Sequence, residues 1–161
     1  MKPENAALLR TLFESRPVAA LGTLHDGQPL VSMVPYVAFQ AEGAAGFVIH
    51  VSGLSAHTKD MVADPHVSLM ILQKEEEAET PLAIARVSVA CEAVSVSHDA
   101  TGHDTIARAY LKKYPEAEPL LNFADFHFFL LVPRSGRYVA GFAQAMTLSQ
   151  DTIESMLRPA E

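Results

Sequence analysis

The chain does not alternate strand and helix along its length, and this constrains its fold more than any other feature. Runs rich in β-branched and aromatic residues follow one another across turns. Residues 18–24 and 30–39 flank His25-Asp26-Gly27-Gln28, and Asp-Gly between two such runs is a strong hairpin signal. A second turn is expected near Glu42-Gly43, with its return strand at 47–52. Further strands are expected at 67–73, 84–96, 126–132 and 137–142, the last two forming a closing hairpin around Pro133-Arg134-Ser135-Gly136. Leu8, Leu9, Leu12 and Phe13 recur at helical spacing and predict an amphipathic helix over 4–15, ended by Pro17. Ser55 is placed to cap a short helix running to about residue 63, before Asp64-Pro65. Helices are also expected at 99–114 and 149–157, with a short helical stretch at 116–122. The expected architecture is mainly β: about six to seven mostly antiparallel strands closed into a small barrel, with peripheral helices.

Within 84–96, Val87, Val89, Cys91 and Ala93 share one face, and Arg86, Ser88 and Glu92 the other. Val94 and Val96 change the phase of this pattern, which predicts a bulge or a change of surroundings there. The run Glu75-Glu76-Glu77 reads as a solvated loop.

A length of 161 residues fits one domain spanning 1–161. With 49% hydrophobic and 19% charged residues, the chain has the composition of a folded globule. The net charge of −7 argues against nucleic acid or an anionic membrane as a general partner, while leaving room for a local anion pocket. Cys91 is the sole cysteine, so no intramolecular disulfide forms; inside a strand it reads as a small buried hydrophobe. Met1-Lys2-Pro3-Glu4-Asn5 lacks a basic stretch followed by an apolar run, and no segment has the apolar length of a membrane span. A cytoplasmic location is the expectation.

Two stretches carry chemistry. From Ile49 to Lys59 the chain runs strand, glycine-containing turn, helix start. A helix N-terminus presents free N–H groups and partial positive charge, and Ser52, Thr58 and Lys59 add two hydroxyls and a cation at the same end. That is the donor set of a phosphate-monoester site, although a capped surface helix with an incidental lysine has the same sequence. In Pro29 to Tyr36, Pro35 cannot donate a ladder hydrogen bond and belongs at an edge or a break. Backbone groups freed there suit a planar heterocycle, and an unoccupied barrel rim accounts for them equally.

The order of these pieces resembles the pyridoxamine 5′-phosphate oxidase-like FMN-binding split barrels, and more closely the branch associated with haem utilisation. The resemblance is carried by Ala20-Leu21-Gly22-Thr23-Leu24, Ser32-Met33-Val34-Pro35-Tyr36, and His57-Thr58-Lys59 with Asp64-Pro65-His66-Val67-Ser68-Leu69. Further pieces are Ala85-Arg86-Val87-Ser88-Val89, Tyr110-Leu111-Lys112-Lys113-Tyr114-Pro115, Phe123-Ala124-Asp125-Phe126, and Arg137-Tyr138-Val139-Ala140-Gly141-Phe142. It implies a split β-barrel homodimer with FMN at the subunit interface. By the same resemblance, Ser32, Met33, Val34 and Pro35 lie along the isoalloxazine ring. Ser52, Thr58 and Lys59 hold the phosphate with His57 beside them, and the segment around Gly141 approaches the flavin. Arg86 reaches the ligand or the partner subunit, or forms a structural salt bridge. Departures accompany the match. Ala140 stands where relatives often have a first glycine, and Ala143-Gln144-Ala145-Met146 replaces a segment that commonly holds a glycine, a basic residue and an aromatic. No C-terminal Arg and His pair for gripping a vitamin B6 substrate is recognisable.

The function expected from this reading is a flavin-dependent oxidoreductase of unknown substrate. The alternatives are a haem-binding or haem-degradation-related protein, and a cofactor-free dimeric barrel. His50, His57 and His127 are the candidates for a haem iron ligand. No metal centre is expected: His98 and His103, five apart, fall about 140° apart on a helix and so on different faces. Phe123, Phe126, Phe128 and Phe129 read as core and dimer contact in preference to a cofactor wall. No nucleophile motif is present, and no catalytic acid or base is assigned.

Overall fold

A computed structural model describes residues 1–41 and 43–158. Helix α1 (Pro3–Ser15) leads into β1 (Val18–His25), β2 (Gln28–Pro35), β3 (Val37–Ala41) and β4 (Ala44–Ser52). Helix α2 (Ala56–Ala63), β5 (His66–Leu72), β6 (Arg86–Val96) and α3 (His103–Lys113) follow. The chain then runs through β7 (Phe126–Val139), β8 (Ala145–Ser149) and α4 (Gln150–Leu157), with 3₁₀ turns at Glu75–Glu77, Pro81–Ala83 and Pro115–Asn122. All strand pairs are antiparallel, in the order β2-β1-β5-β6-β7-β4-β3, and β8 pairs with β7. β2 and β4 approach each other across the remaining seam of the barrel. Among the described residues no helix is long and apolar enough to cross a membrane.

The Asp26-Gly27 hairpin forms as expected, with both residues at positive φ. Of the second expected turn, Gly43 has φ +77°, while Glu42 lies outside the described residues. Pro35 ends β2 and Tyr36 separates it from β3, so the expected run 30–39 divides there into two strands. The break is held from the end of α3: the Tyr114 hydroxyl accepts from the Tyr36 N–H at 3.3 Å, and its single proton lies between the carbonyls of Pro17 (2.5 Å) and Tyr36 (2.9 Å). Lys113 Nζ donates to the carbonyls of Arg16 (2.7 Å) and Tyr36 (3.0 Å) and sits 4.5 Å from the centre of the Tyr36 ring.

Three expectations need correction. Residues 126–139 form one continuous strand, not a hairpin. Pro133 lacks an N–H, yet it enters the ladder because Arg134 is an extra residue between the pairs Ala90↔Ser135 and Cys91↔Pro133. This bulge lies level with Cys91, and Val94 and Val96 keep the outward parity of Arg86 and Ser88. Val96 is apolar because it packs under α3. The chain turns at Ala140 to Gln144 and returns as β8, so residues 140–142 are not strand and Phe142 is exposed. Finally, α3 begins at His103 and not at residue 99, which leaves His98 outside the helix.

The strand period of two sorts the core into two layers. Leu21, Phe47, Ile49, Leu69, Val87, Val89, Phe129 and Leu131 fill the barrel interior with Leu9, Leu12 and Phe13 of α1. Val37, Phe39, Val48, Phe128 and Leu130 point outward on the other half and are covered by Ile106 and Tyr110 of α3. Phe128 and Phe129 thus serve opposite faces, Phe126 is half-buried and Phe123 is exposed.

Gly46 on β4 leaves no room for a side chain: a Cβ there would collide with the carbonyl oxygen of Leu131. Gly46→Ala should destabilise the fold by about 2 kcal/mol, read as a lowered midpoint in chemical denaturation. An unchanged midpoint contradicts this packing.

Candidate functional site

The end of β4 turns into α2 through Gly53-Leu54-Ser55, and this turn is tied to the segment before β7. The Ser52 hydroxyl donates to Asp125 Oδ2 at 2.7 Å and accepts from the Leu54 N–H at 3.1 Å. The Gly53 N–H donates to the Asp125 carbonyl. Ser55 occupies the N-cap position, but its side chain makes no capping bond. In the first turn of α2, Thr58 is only 4% exposed, and its buried hydroxyl oxygen has no hydrogen-bond partner. Leaving such a group unmatched carries a desolvation penalty of about 1–3 kcal/mol. Lys59, next to it, is exposed.

Thr58 and Lys59 line a cleft of about 380 Å³ together with Val62, His127 and Phe129. Gly53 and Ser95 complete its wall. The cleft combines one cation, one unmatched hydroxyl, one imidazole and an apolar side. The orientation of α2 depends on Asp60, which is buried and accepts from the Thr23 hydroxyl at 2.8 Å, while His25 Nδ1 lies 2.8 Å from its other oxygen. The hydrogen bond to Asp60, reinforced by its charge, raises the His25 pKa above 6.5. Burial pushes Asp60 upward, but the bonds from His25 and Thr23 and the charge of His25 bring its pKa below 3.8.

The other residues singled out by sequence lie away from this lining. Ser32, Met33, Val34 and Pro35 are on β2; Val34 is buried, Ser32 half-buried, and Met33 and Pro35 exposed. Arg86 is half-buried and donates to the Ile84 carbonyl at 3.0 Å. Gly141, at φ +148°, lies in the turn before β8. His57 is half-buried, and burial lowers its pKa despite the nearby charge of Asp60. His50 is 8% exposed, stacks on Phe128 at 4.3 Å between ring centres, and has an unpartnered Nδ1. Burial, aided by the neighbouring His127, His98 and His103, lowers its pKa to about 4. Of the three histidine candidates, His127 lines the cleft.

Asp125, Asp60, His25 and Ser95 escaped the sequence reading. The segment Phe123-Ala124-Asp125-Phe126 held the one usable signal: a lone carboxylate among aromatics just before a strand. Among the described residues, no three His, Cys, Asp or Glu side chains are grouped to share a metal ion.

The family model for pyridoxamine 5′-phosphate oxidase matches residues 6–140. The chain is 35% identical over 140 residues to the chloroplastic heme oxygenase HOZ of Arabidopsis thaliana, covering 85% of this chain and 40% of that protein. It is 28% identical over 147 residues to the heme oxygenase HutZ of Vibrio cholerae, covering 90% and 81% of the two chains. The chain therefore spans well under half of the plant relative and most of the bacterial one. Among solved structures, a heme binding protein from Mycobacterium smegmatis matches with a TM-score of 0.82 at 26% identity, over 96% of this chain and 62% of that one.

The His25–Asp60 pair makes a pH-dependent contribution to stability. Because the folded His25 pKa is raised, its contribution is full below 6.5 and is lost as pH rises through the folded value. The Asp60 contribution is present above 3.8 and is lost as pH falls through its depressed folded value. His25→Ala should therefore destabilise the protein more at about pH 5.5 than at about pH 8.5, measured by denaturant titration of both proteins at both pH values. A pH-independent difference contradicts the pairing.

Proposed function

Because the chain belongs to the pyridoxamine 5′-phosphate oxidase family, we propose that it uses that family's barrel to bind haem and acts as an oxidoreductase of the haem-degrading kind. One observation carries the reading. A single cleft holds an imidazole, a lysine and an unmatched buried hydroxyl against an apolar wall. That set fits haem: His127 as iron ligand, Lys59 and Thr58 for the propionates, Val62 and Phe129 against the porphyrin. Support also comes from the relatives, two of which are heme oxygenases and one a heme binding protein.

Bound haem supplies an iron centre for redox chemistry with dioxygen. The residues of the chain have simpler tasks. Lys59 supplies positive charge at the solvent edge, and a propionate accepting from Thr58 satisfies its orphan hydroxyl. Asp125 fixes the loop through Ser52 and Gly53. Asp60 fixes α2, and with it Thr58 and Lys59. A second copy of the chain completes the enclosure. Val31 and Met33 on β2 are 70% and 63% exposed, and Met70 of β5 shares their outward face across Ala20. An apolar face of this kind suits burial in a homodimer.

FMN is the second reading, favoured by Thr58 and Lys59 as phosphate donors. It is the weaker one because the Ser52 hydroxyl, expected to hold the phosphate, is already engaged by the Asp125 carboxylate.

Titration of the purified protein with haem should produce a strong absorption band at about 400 nm. His127→Ala should alter that band, and Lys59→Ala should weaken binding about tenfold, the worth of one charged hydrogen bond. Protein that ignores haem but takes up FMN, with flavin bands at about 370 and 450 nm, overturns the haem reading in favour of the second.

A further inference from the structure

The structure brings together two histidines that the helical spacing of the sequence separates. After β6 the chain makes two successive turns, closed by Ala100 N–H to the Ser97 carbonyl and His103 N–H to the Ala100 carbonyl, each 3.0 Å. Gly102, at φ +100°, ends the second turn in a conformation that costs other residues strain. The double turn folds His98 back over the first residue of α3. The rings of His98 and His103 lie 5.0 Å apart, centre to centre, and are tilted by 49°.

Two imidazoles bound to one tetrahedral ion with metal–nitrogen bonds of about 2.0–2.1 Å have ring centres about 5 Å apart. The surroundings support this use of the pair. His103 packs edge-on against Phe128 at 5.6 Å, which fixes its ring from behind. Its Nδ1 lies 3.5 Å from the Asp104 carboxylate, leaving Nε2 for a ligand. A carboxylate behind a ligating imidazole raises its basicity. Asp99 and Asp104 are exposed on either side, and Arg108 on α3 is engaged with the Thr105 hydroxyl. His127 and His50 are the other titratable groups beside the pair, His127 lying 6.5 Å from His98.

We propose that His98 and His103 bind a divalent transition-metal ion of the zinc, copper or nickel type, with water in the remaining positions. The site adjoins the haem cleft but does not rest on the haem reading, because neither ligand lines that cleft.

The test is a Zn²⁺ titration of the haem-free protein by calorimetry, paired with the electron paramagnetic resonance spectrum of bound Cu²⁺. Zn²⁺ should bind the unaltered protein, and His98→Ala should weaken it by about tenfold or more. His66→Ala, at an exposed histidine already paired with Asp64, should leave Zn²⁺ affinity unchanged. The Cu²⁺ spectrum should show two imidazole nitrogens, reduced to one in His98→Ala. His98 is an exposed loop residue, so that variant keeps its fold, which a thermal midpoint verifies. Zn²⁺ affinity unchanged in both His98→Ala and His103→Gln, or a Cu²⁺ spectrum without imidazole nitrogens, overturns the site. Haem titration of His98→Ala separates the two proposals: the variant should lose Zn²⁺ affinity yet take up haem as the unaltered protein does, because His98 does not line the cleft.

Discussion

The barrel depends on a break in one strand, at Pro35-Tyr36, and on what holds that break open. Pro35 stops β2, and two residues later β3 begins as the opposite edge of the same sheet. A free break exposes backbone groups that water would otherwise have to satisfy. Here Lys113 and Tyr114, at the end of α3, supply the missing partners. Burial lowers the Lys113 pKa to about 8, yet two carbonyls and the face of Tyr36 compensate its charge. The Tyr36 hydroxyl in turn donates to the Leu12 carbonyl, joining α1 to the same point. One junction thereby fixes α1, α3 and both sheet edges.

The site inherits its geometry from two further tethers. Asp60 fastens α2 to β1, and Asp125 fastens the loop before α2 to the approach to β7. Between them α2 is held beside β1, its first turn facing β6 and β7 across the cleft, with a hydroxyl that has no internal partner. A protein interior rarely leaves such a group unmatched. In the function proposed above, an acid group of the bound ligand supplies the match.

Much of this was legible locally. Pro35 signalled the break because it cannot donate to a ladder, the Asp26-Gly27 hairpin followed from turn chemistry, and the alternation of Val87 to Ala93 gave the correct inner face. The short helix that carries Thr58 and Lys59 was expected after Ser55, and α2 begins there. What was missed is non-local. Pro133 to Gly136 has the composition of a turn, yet pairing with β6 keeps the strand continuous and converts the extra residue into a bulge. Short β8 exists because β7 offers it an edge. His25 meets Asp60 across 35 residues and Ser52 meets Asp125 across 73, distances over which spacing carries no signal. The separation of His98 from His103 was misjudged because it assumed a helix that starts only at His103.

The central claim is that the cleft beside Thr58, Lys59 and His127 is where haem binds. A crystal structure of the protein grown with haem tests it most directly. The account predicts iron bonded to His127 Nε2, with a propionate within hydrogen-bonding distance of Thr58 and Lys59. Haem held by another histidine, with this cleft filled only by solvent, contradicts it.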